Sequence, residues 1–161
     1  MVVVAVGLLG SPAACAQGTI HFTTKVGAAL DAPIRDARGQ LAGGTGTNTV
    51  MVQLYAGRPG TALKPIGQPL PLRSDQGIGY VTGGGSVSVP GLPPGTPAQA
   101  KVVAWKATLG KTFTEAVAKG RGGVGESKVV TLKALGGDKI PPAMLKGLSG
   151  FSLAPPSLKS K

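Results

Sequence analysis

The chain is short of most of the residue types that catalysis uses. Among 161 residues there is one histidine, His21, one cysteine, Cys15, and six acids: Asp31, Asp36, Asp75, Glu115, Glu126 and Asp138. A zinc site, a Ser-His-Asp triad or a histidine acid–base pair would have to be built on His21 alone. Glycoside hydrolysis needs two carboxylates flanking one sugar bond, and no pair of acids is marked out locally. Asp31 and Asp36 share a loop but lack the D-x-D-x-D-G spacing of a calcium site, and the positive net charge opposes one. The aromatics number three Phe, two Tyr and one Trp, with no aromatic-rich RNA-binding signature and no zinc-finger spacing. No catalytic residue, cofactor-binding residue or metal ligand is expected, and specific nucleic-acid recognition is excluded.

Glycine and basic residues are what the chain has in quantity. There are 27 Gly and 14 Pro, near the level at which disorder becomes a concern. Against disorder stand 42% apolar residues and a mean hydropathy of +0.20, distributed in short alternating runs. A loop-rich β domain satisfies both. Lys and Arg number 17, for a net charge of +11. They are scattered singly, as at Lys25, Arg58, Lys101, Lys119 and Lys146, so a solvated surface is the leading reading. Weak, salt-sensitive attraction to anionic polymers is the sharper one.

Residues 1–16 read as a signal peptide. Val2–Leu9 is too short to span a bilayer, and Ala14-Cys15-Ala16 supplies the small-x-small pattern, placing cleavage between Ala16 and Gln17. No basic residue precedes the apolar core, and an upstream start would restore one. Lipoprotein processing at Cys15 is the rival, but Pro12 stands where that signal wants Leu. Loss of Cys15 with the leader leaves a chain without disulfide or thiolate chemistry. The expected location is extracellular or at the cell surface, without a transmembrane segment in the mature chain.

The remainder, 17–153, reads as one antiparallel β-sandwich of the immunoglobulin type. Its centre is Ala98–Ala107 (AQAKVVAWKA), with Thr49–Gly57 (TVMVQLYAG) as its neighbour. Gly18–Thr24 alternates Ile20 and Phe22 against Thr19, His21 and Thr23. Residues 25–47 form a loop with one short strand near Pro33–Arg35. Ile66–Arg73, with Pro69 and Pro71, can only be an edge strand or an extended connection. Gly79–Thr82, three glycines and Ser86–Val89 suggest a hairpin. Thr112–Ala116 reads as a strand, although Thr112–Lys119 is also the best helix candidate. Ser127–Lys133 and Leu148–Leu153 complete the strands, and 154–161 is a disordered Pro- and Lys-rich tail. The expected core is Ile20, Phe22, Val50, Val52, Leu54, Val87, Val89, Val102, Ala104, Val130 and Leu132.

The order GTIHF, VQLYAGRPG, GYVTGGGSVSVPG, VVAWKA and FSLAPPS resembles a group of small secreted bacterial proteins of unassigned function. Many of these end in a PEP-CTERM sorting tail. Here Ala154-Pro155-Pro156-Ser157 looks like the start of the sorting motif without its glutamate, and no apolar helix follows. The anchor is absent or degenerate on the chain as written.

Gly120–Gly125 matches G-x-G-x-x-G in letters, but a strand-like run follows it where a dinucleotide site needs a helix. A phosphate loop would need Lys where Glu126 stands. Tyr55 and Trp105 share the strand face opposite Val52, Leu54, Val102 and Ala104. If exposed, they are candidates for stacking on sugar rings; partial burial is the better expectation for Trp105. The leading function is a non-catalytic secreted structural or adhesive module that meets extracellular polysaccharide or other surface components. The alternatives are a carbohydrate-binding module and a hydrolase whose carboxylates meet only in the fold.

Overall fold

The computed structural model describes residues 16–120 and 122–155. The leader and Cys15 lie outside the described residues, as does the tail from Pro156. Ala16 and Gln17 are exposed and lead directly into the first strand.

Among the described residues the fold is all-β with one short α-helix. The strands, in chain order, are β1 (Gly18–His21), β2 (Lys25–Val26), β3 (Leu30–Asp31), β4 (Ile34–Arg35), β5 (Val50–Gly57), β6 (Lys64–Pro71), β7 (Ser86–Val89) and β8 (Ala98–Lys106). Helix α1 (Phe113–Lys119) follows, then β9 (Val124–Glu126), β10 (Val130–Leu132), β11 (Ala143–Met144) and β12 (Phe151–Ser152). The larger sheet runs β10-β8-β5-β6, with β9 also on β8; the smaller runs β11-β1-β7. Two small pairs, β2 with β3 and β12 with β4, complete it. Among the described residues no helix is long and apolar enough to cross a membrane.

The two long runs singled out by composition are the central pair. β5 and β8 are antiparallel over their whole length, from Val50 opposite Lys106 to Gly57 opposite Gln99. Period-2 alternation sends Val50, Val52, Leu54 and Ala56, with Ala98, Ala100, Val102 and Ala104, into one core. Ile20, Phe22 and Val89 of the smaller sheet's segments reach the same core. Of the expected core residues, only Val87 is half-buried.

β6 is the outer strand, as its prolines require. Its pairing with β5 shifts between Val52 and Leu54, whose partners are Leu70 and Ile66. Pro69 sits inside that irregularity, where no ladder N–H is missed. The nearly buried Gln53 crosses it, its Nε2 donating to the Gly67 carbonyl at 2.9 Å. A buried amide therefore seals the place where the ladder fails.

Three expectations need correction. Thr112–Ala116 is not a strand but the start of α1. The Thr112 hydroxyl accepts from the Glu115 amide at 3.2 Å, and Glu115 Oε2 accepts from the Lys111 amide at 2.8 Å. This T-x-x-E arrangement is close to a capping box, and packing on β8 supplies what so short a helix lacks alone. The hairpin at Gly79–Val89 is not formed either. Ser86–Val89 pairs with β1, while Val81 is gripped by two buried threonines. Thr23 Oγ1 donates to its carbonyl at 2.9 Å, and its amide donates to Thr24 Oγ1 at 3.0 Å. Side chains take over a role that the sequence pattern assigns to a ladder, so Thr23 is buried rather than on a solvent face.

The third correction concerns the end of the domain. Leu153 donates to the Arg35 carbonyl at 2.8 Å on one side. On the other, Ala154 donates to the Val124 carbonyl and accepts from the Gly123 amide, both at 2.8 Å. Gly123, at φ +82°, and Val124 together face the single Ala154, the arrangement of a G1 bulge. Ala154 thus belongs to the fold and not to the tail.

A Cβ on Gly125 would lie 2.6 Å from the Ser152 carbonyl oxygen and 3.2 Å from Leu153 Cα. Both are backbone, so the C-terminal segment itself must move. Gly125→Ala should therefore cost about 1–3 kcal/mol in urea unfolding, with amide exchange at Leu153 and Ala154 rising first. Unchanged protection there would show that β9 and this segment are not in contact.

Candidate functional site

An open groove of about 660 Å³ lies beside the end of β6. Gly44, Thr45, Gly46 and Thr49 form one wall, Leu70–Asp75 the next and Tyr80–Gly83 the third. The first wall is distant in sequence from the other two, which only residues 76–79 separate. The end of β6 brings the second wall in, and the Thr23–Thr24 clasp on Val81 fixes the third.

Asp75 organises the second wall. It is held by Arg73 in a two-pronged ion pair, with Nε to Oδ1 at 2.6 Å and Nη2 against Oδ2. The Gly77 amide donates to Oδ1 at 3.2 Å, and Ile78 donates to the Asp75 carbonyl at 2.9 Å. The Arg73 hydrogen bonds, then the Gly77 amide, pull the Asp75 carboxyl down to about 2. The pair is solvent-exposed, so screening limits its contribution to stability.

Tyr80 organises the third wall. Its hydroxyl donates to Asp31 Oδ1 at 2.8 Å, and Lys25 Nζ lies 3.1 Å from the same oxygen. The Lys25 ammonium also sits 5.1 Å from the centre of the Tyr80 ring, within cation–π range. The Tyr80 hydrogen bond, then that of Lys25, holds the Asp31 carboxyl below its usual range. The same bond to Asp31 raises the Tyr80 phenol above its ordinary value, with desolvation acting in the same direction.

The two residues first put forward for ligand stacking meet a different fate. Trp105 is fully buried. It lies under α1, its ring centre 6.1 Å from that of Phe113, and its Nε1 donates to the Gly110 carbonyl at 2.9 Å. With Val103, Ala116 and Val124 it forms a second small core on the outer face of the β5–β8 pair. No face of its ring is open to a ligand. Tyr55 is half-buried at the margin of that core, edge-on to Phe113, with Lys101 Nζ 5.9 Å from its ring centre. The fold brings Tyr55 and Trp105 to the same face but does not make a joint platform of them.

The other candidates are dispersed. His21 is exposed at the end of β1. Asp36 is occupied by its own turn, accepting from the Arg38 and Gln40 amides at 2.8 and 3.0 Å. Glu126 takes the Lys101 ammonium at 2.6 Å. Gly120 ends α1 and Val124–Glu126 is strand, so the glycine loop follows a helix rather than leading into one. Among the described residues no three of His, Cys, Asp and Glu gather where they could hold a metal ion. The groove at Arg73, Asp75 and Tyr80 was missed by sequence reasoning. The short Arg-Ser-Asp spacing with Gly77 two residues on is an Asx-turn pattern that could have signalled its second wall.

No family model, curated protein or solved structure matches this chain.

Two measurements check this chemistry. A carboxylate held low in the folded state stabilises above its ordinary 3.8 and loses that effect as pH falls toward about 2. A carbon-detected titration should place the Asp75 midpoint near 2 and raise it in Arg73→Ala, short of a full return because the Gly77 amide remains. Equal midpoints in the two proteins would contradict the pairing. For Trp105, emission should be blue-shifted and resistant to acrylamide, and Phe113→Ala should shift it to the red. Ready quenching in the parent protein would contradict the second core.

Proposed function

We propose that this chain is a non-catalytic structural or adhesive module acting outside the cell or at its surface. On this reading it is an immunoglobulin-like β-sandwich of the small secreted bacterial kind that it resembles. The observation that carries the reading is the employment of the carboxylates. Asp31 and Glu126 tie distant segments together through a hydrogen bond or ion pair, while Asp36, Asp75 and Glu115 are engaged within their own turns. Acid–base catalysis wants a carboxyl poised near the working pH; Asp31 and Asp75 are driven the other way. The antiparallel central sheet and the core it shares with the smaller sheet support the sandwich. The expected leader supports the location.

A second reading, a carbohydrate-binding module, is favoured by the groove. Thr45, Thr49, Ser74 and Thr82 line it with hydroxyls, beside the Arg73–Asp75 pair and Tyr80. Such a wall offers donors and acceptors in the mixture that sugar hydroxyls use, and it takes over the place that Trp105 cannot fill.

Glycan arrays at low and moderate salt, with release of reducing ends followed on the glycans that bind, test both readings. The adhesive reading expects retention on cell-surface material without cleavage, and sustained turnover would overturn it. The carbohydrate reading expects binding to survive salt and to fall at least tenfold in Tyr80→Ala. Binding indifferent to Tyr80→Ala would remove the groove from consideration.

A further inference from the structure

A second concavity, away from the Arg73 groove, lies at the end of the central sheet where the β5–β6 turn meets the β7–β8 connection. Two basins, of about 330 and 420 Å³, share Arg58 and Leu92 in their walls. The first adds Thr61, Lys64, Pro65 and Pro90; the second adds Pro59, Pro93, Thr96 and Pro97. Neither basin contains an acidic residue. Three ion pairs occur among the described residues, made by Lys25, Arg73 and Lys101, and Arg58 is in none of them. Arg58 is exposed and lines both basins, and among the described residues it has no carboxylate partner.

The frame around Arg58 is rigid. Thr61 returns both its amide, at 3.1 Å, and its hydroxyl, at 2.8 Å, to the Arg58 carbonyl. The Gly60 amide donates to Gln99 Oε1 at 3.2 Å, tying the turn to β8. Opposite, the Thr96 hydroxyl donates to the Pro93 carbonyl at 2.7 Å, and the Gly95 amide donates to the Leu135 carbonyl at 2.9 Å. Prolines fix much of the remaining backbone, so little ordering is left to be done on binding.

We propose that this paired cleft binds a carboxylate-bearing polysaccharide, with Arg58 taking the carboxylate between two sugar subsites. The charge is complementary, and a guanidinium fork matches a carboxylate in two hydrogen bonds. The hydroxyls of Thr61 and Thr96 have given their protons to backbone carbonyls, so toward the cleft they offer lone pairs only. Sugar hydroxyls supply the donors that such acceptors need. The exposed Pro59, Pro93 and Pro97, over the buried Leu92, offer C–H surface to the apolar faces of sugar rings. No aromatic side chain lines either basin, which leaves nucleic-acid bases without a stacking platform. Lys64, in the first basin, adds a second positive charge for a neighbouring uronate.

The choice of a polysaccharide over other polyanions rests on the extracellular reading; the cleft itself does not. Calorimetry with oligogalacturonate on the mature chain tests the proposal, with neutral oligogalactose and oligoglutamate of equal charge beside it. Arg58→Ala should weaken oligogalacturonate about tenfold, the scale of one charge-assisted pair. Arg58→Lys should fall between, and Lys119→Ala, which removes the same charge elsewhere, should have no effect. The turn survives these changes because its bonds use the Arg58 carbonyl and not its side chain. No binding of oligogalacturonate overturns the proposal, as does an equal loss in Lys119→Ala. Equal affinity for oligoglutamate overturns the sugar subsites. Adhesion to cell-surface material that persists undiminished in Arg58→Ala overturns this cleft while leaving the adhesive reading in place.

Discussion

Everything in this molecule follows from the pairing of β5 with β8. The two strands run antiparallel from Val50 to Gly57 and from Gln99 to Lys106 without a break in register. Both carry apolar residues on both faces, so the pair has to be covered twice. Val52, Leu54, Val102 and Ala104 take the smaller sheet and its loops on one side. Val103 and Trp105 demand a second cover, and α1 with the turn before it provides one. A one-residue slip would exchange these two sets of side chains. The breadth of Trp105 against the small Ala104 beside it makes that exchange impossible to accommodate.

Satisfying this central pair leaves the edges to be managed by other means. Prolines keep β6 at the margin, and Gln53 closes the gap its irregularity opens. Ser127 performs a similar service on the far edge of β8, between β9 and β10. Its hydroxyl accepts from the Val102 amide at 3.0 Å while its own amide donates to the Val102 carbonyl at 2.9 Å. Thr23 and Thr24 do the same for Val81. Buried hydroxyls and one amide thus stand in for missing ladder partners at three places, and an unmade bond at any of them would be costly. Thr23, which the alternation sets with Thr19 and His21 on the polar face, is a joint of the frame.

This explains what could be read from the sequence and what could not. β5 and β8 were legible because two-sided apolar alternation over eight or nine residues has few other meanings. β6 was legible as an edge from Pro69 and Pro71. The hairpin at Gly79–Val89 was misread because alternation reports a buried residue, Val81, without telling whether a strand or two threonines hold it. The segment at Thr112–Lys119 could be read as strand or helix, and it is the Thr112 cap and the packing on β8 that make it a helix. Trp105 could be placed on its face, but its cover came from residues further along the chain. The Arg73–Tyr80 groove and the Arg58 cleft were invisible because each draws its walls from separated loops. Singly scattered basic residues look like a solvated surface until the fold shows which of them were given carboxylate partners.

The position of the C-terminal segment bears on the order in which the chain can become a protein. Residues 151–154 lie between β4, near the beginning, and β9, near the end, and bond to both. Until they arrive, the facing edges of β4 and β9 have nothing between them. Residues 18–150 therefore cannot complete the pairing of these two edges by themselves. Long-range closure of this kind is slow to nucleate. Four residues thus act as the latch between two distant parts of the frame, and a chain cut before Phe151 would leave both edges bare.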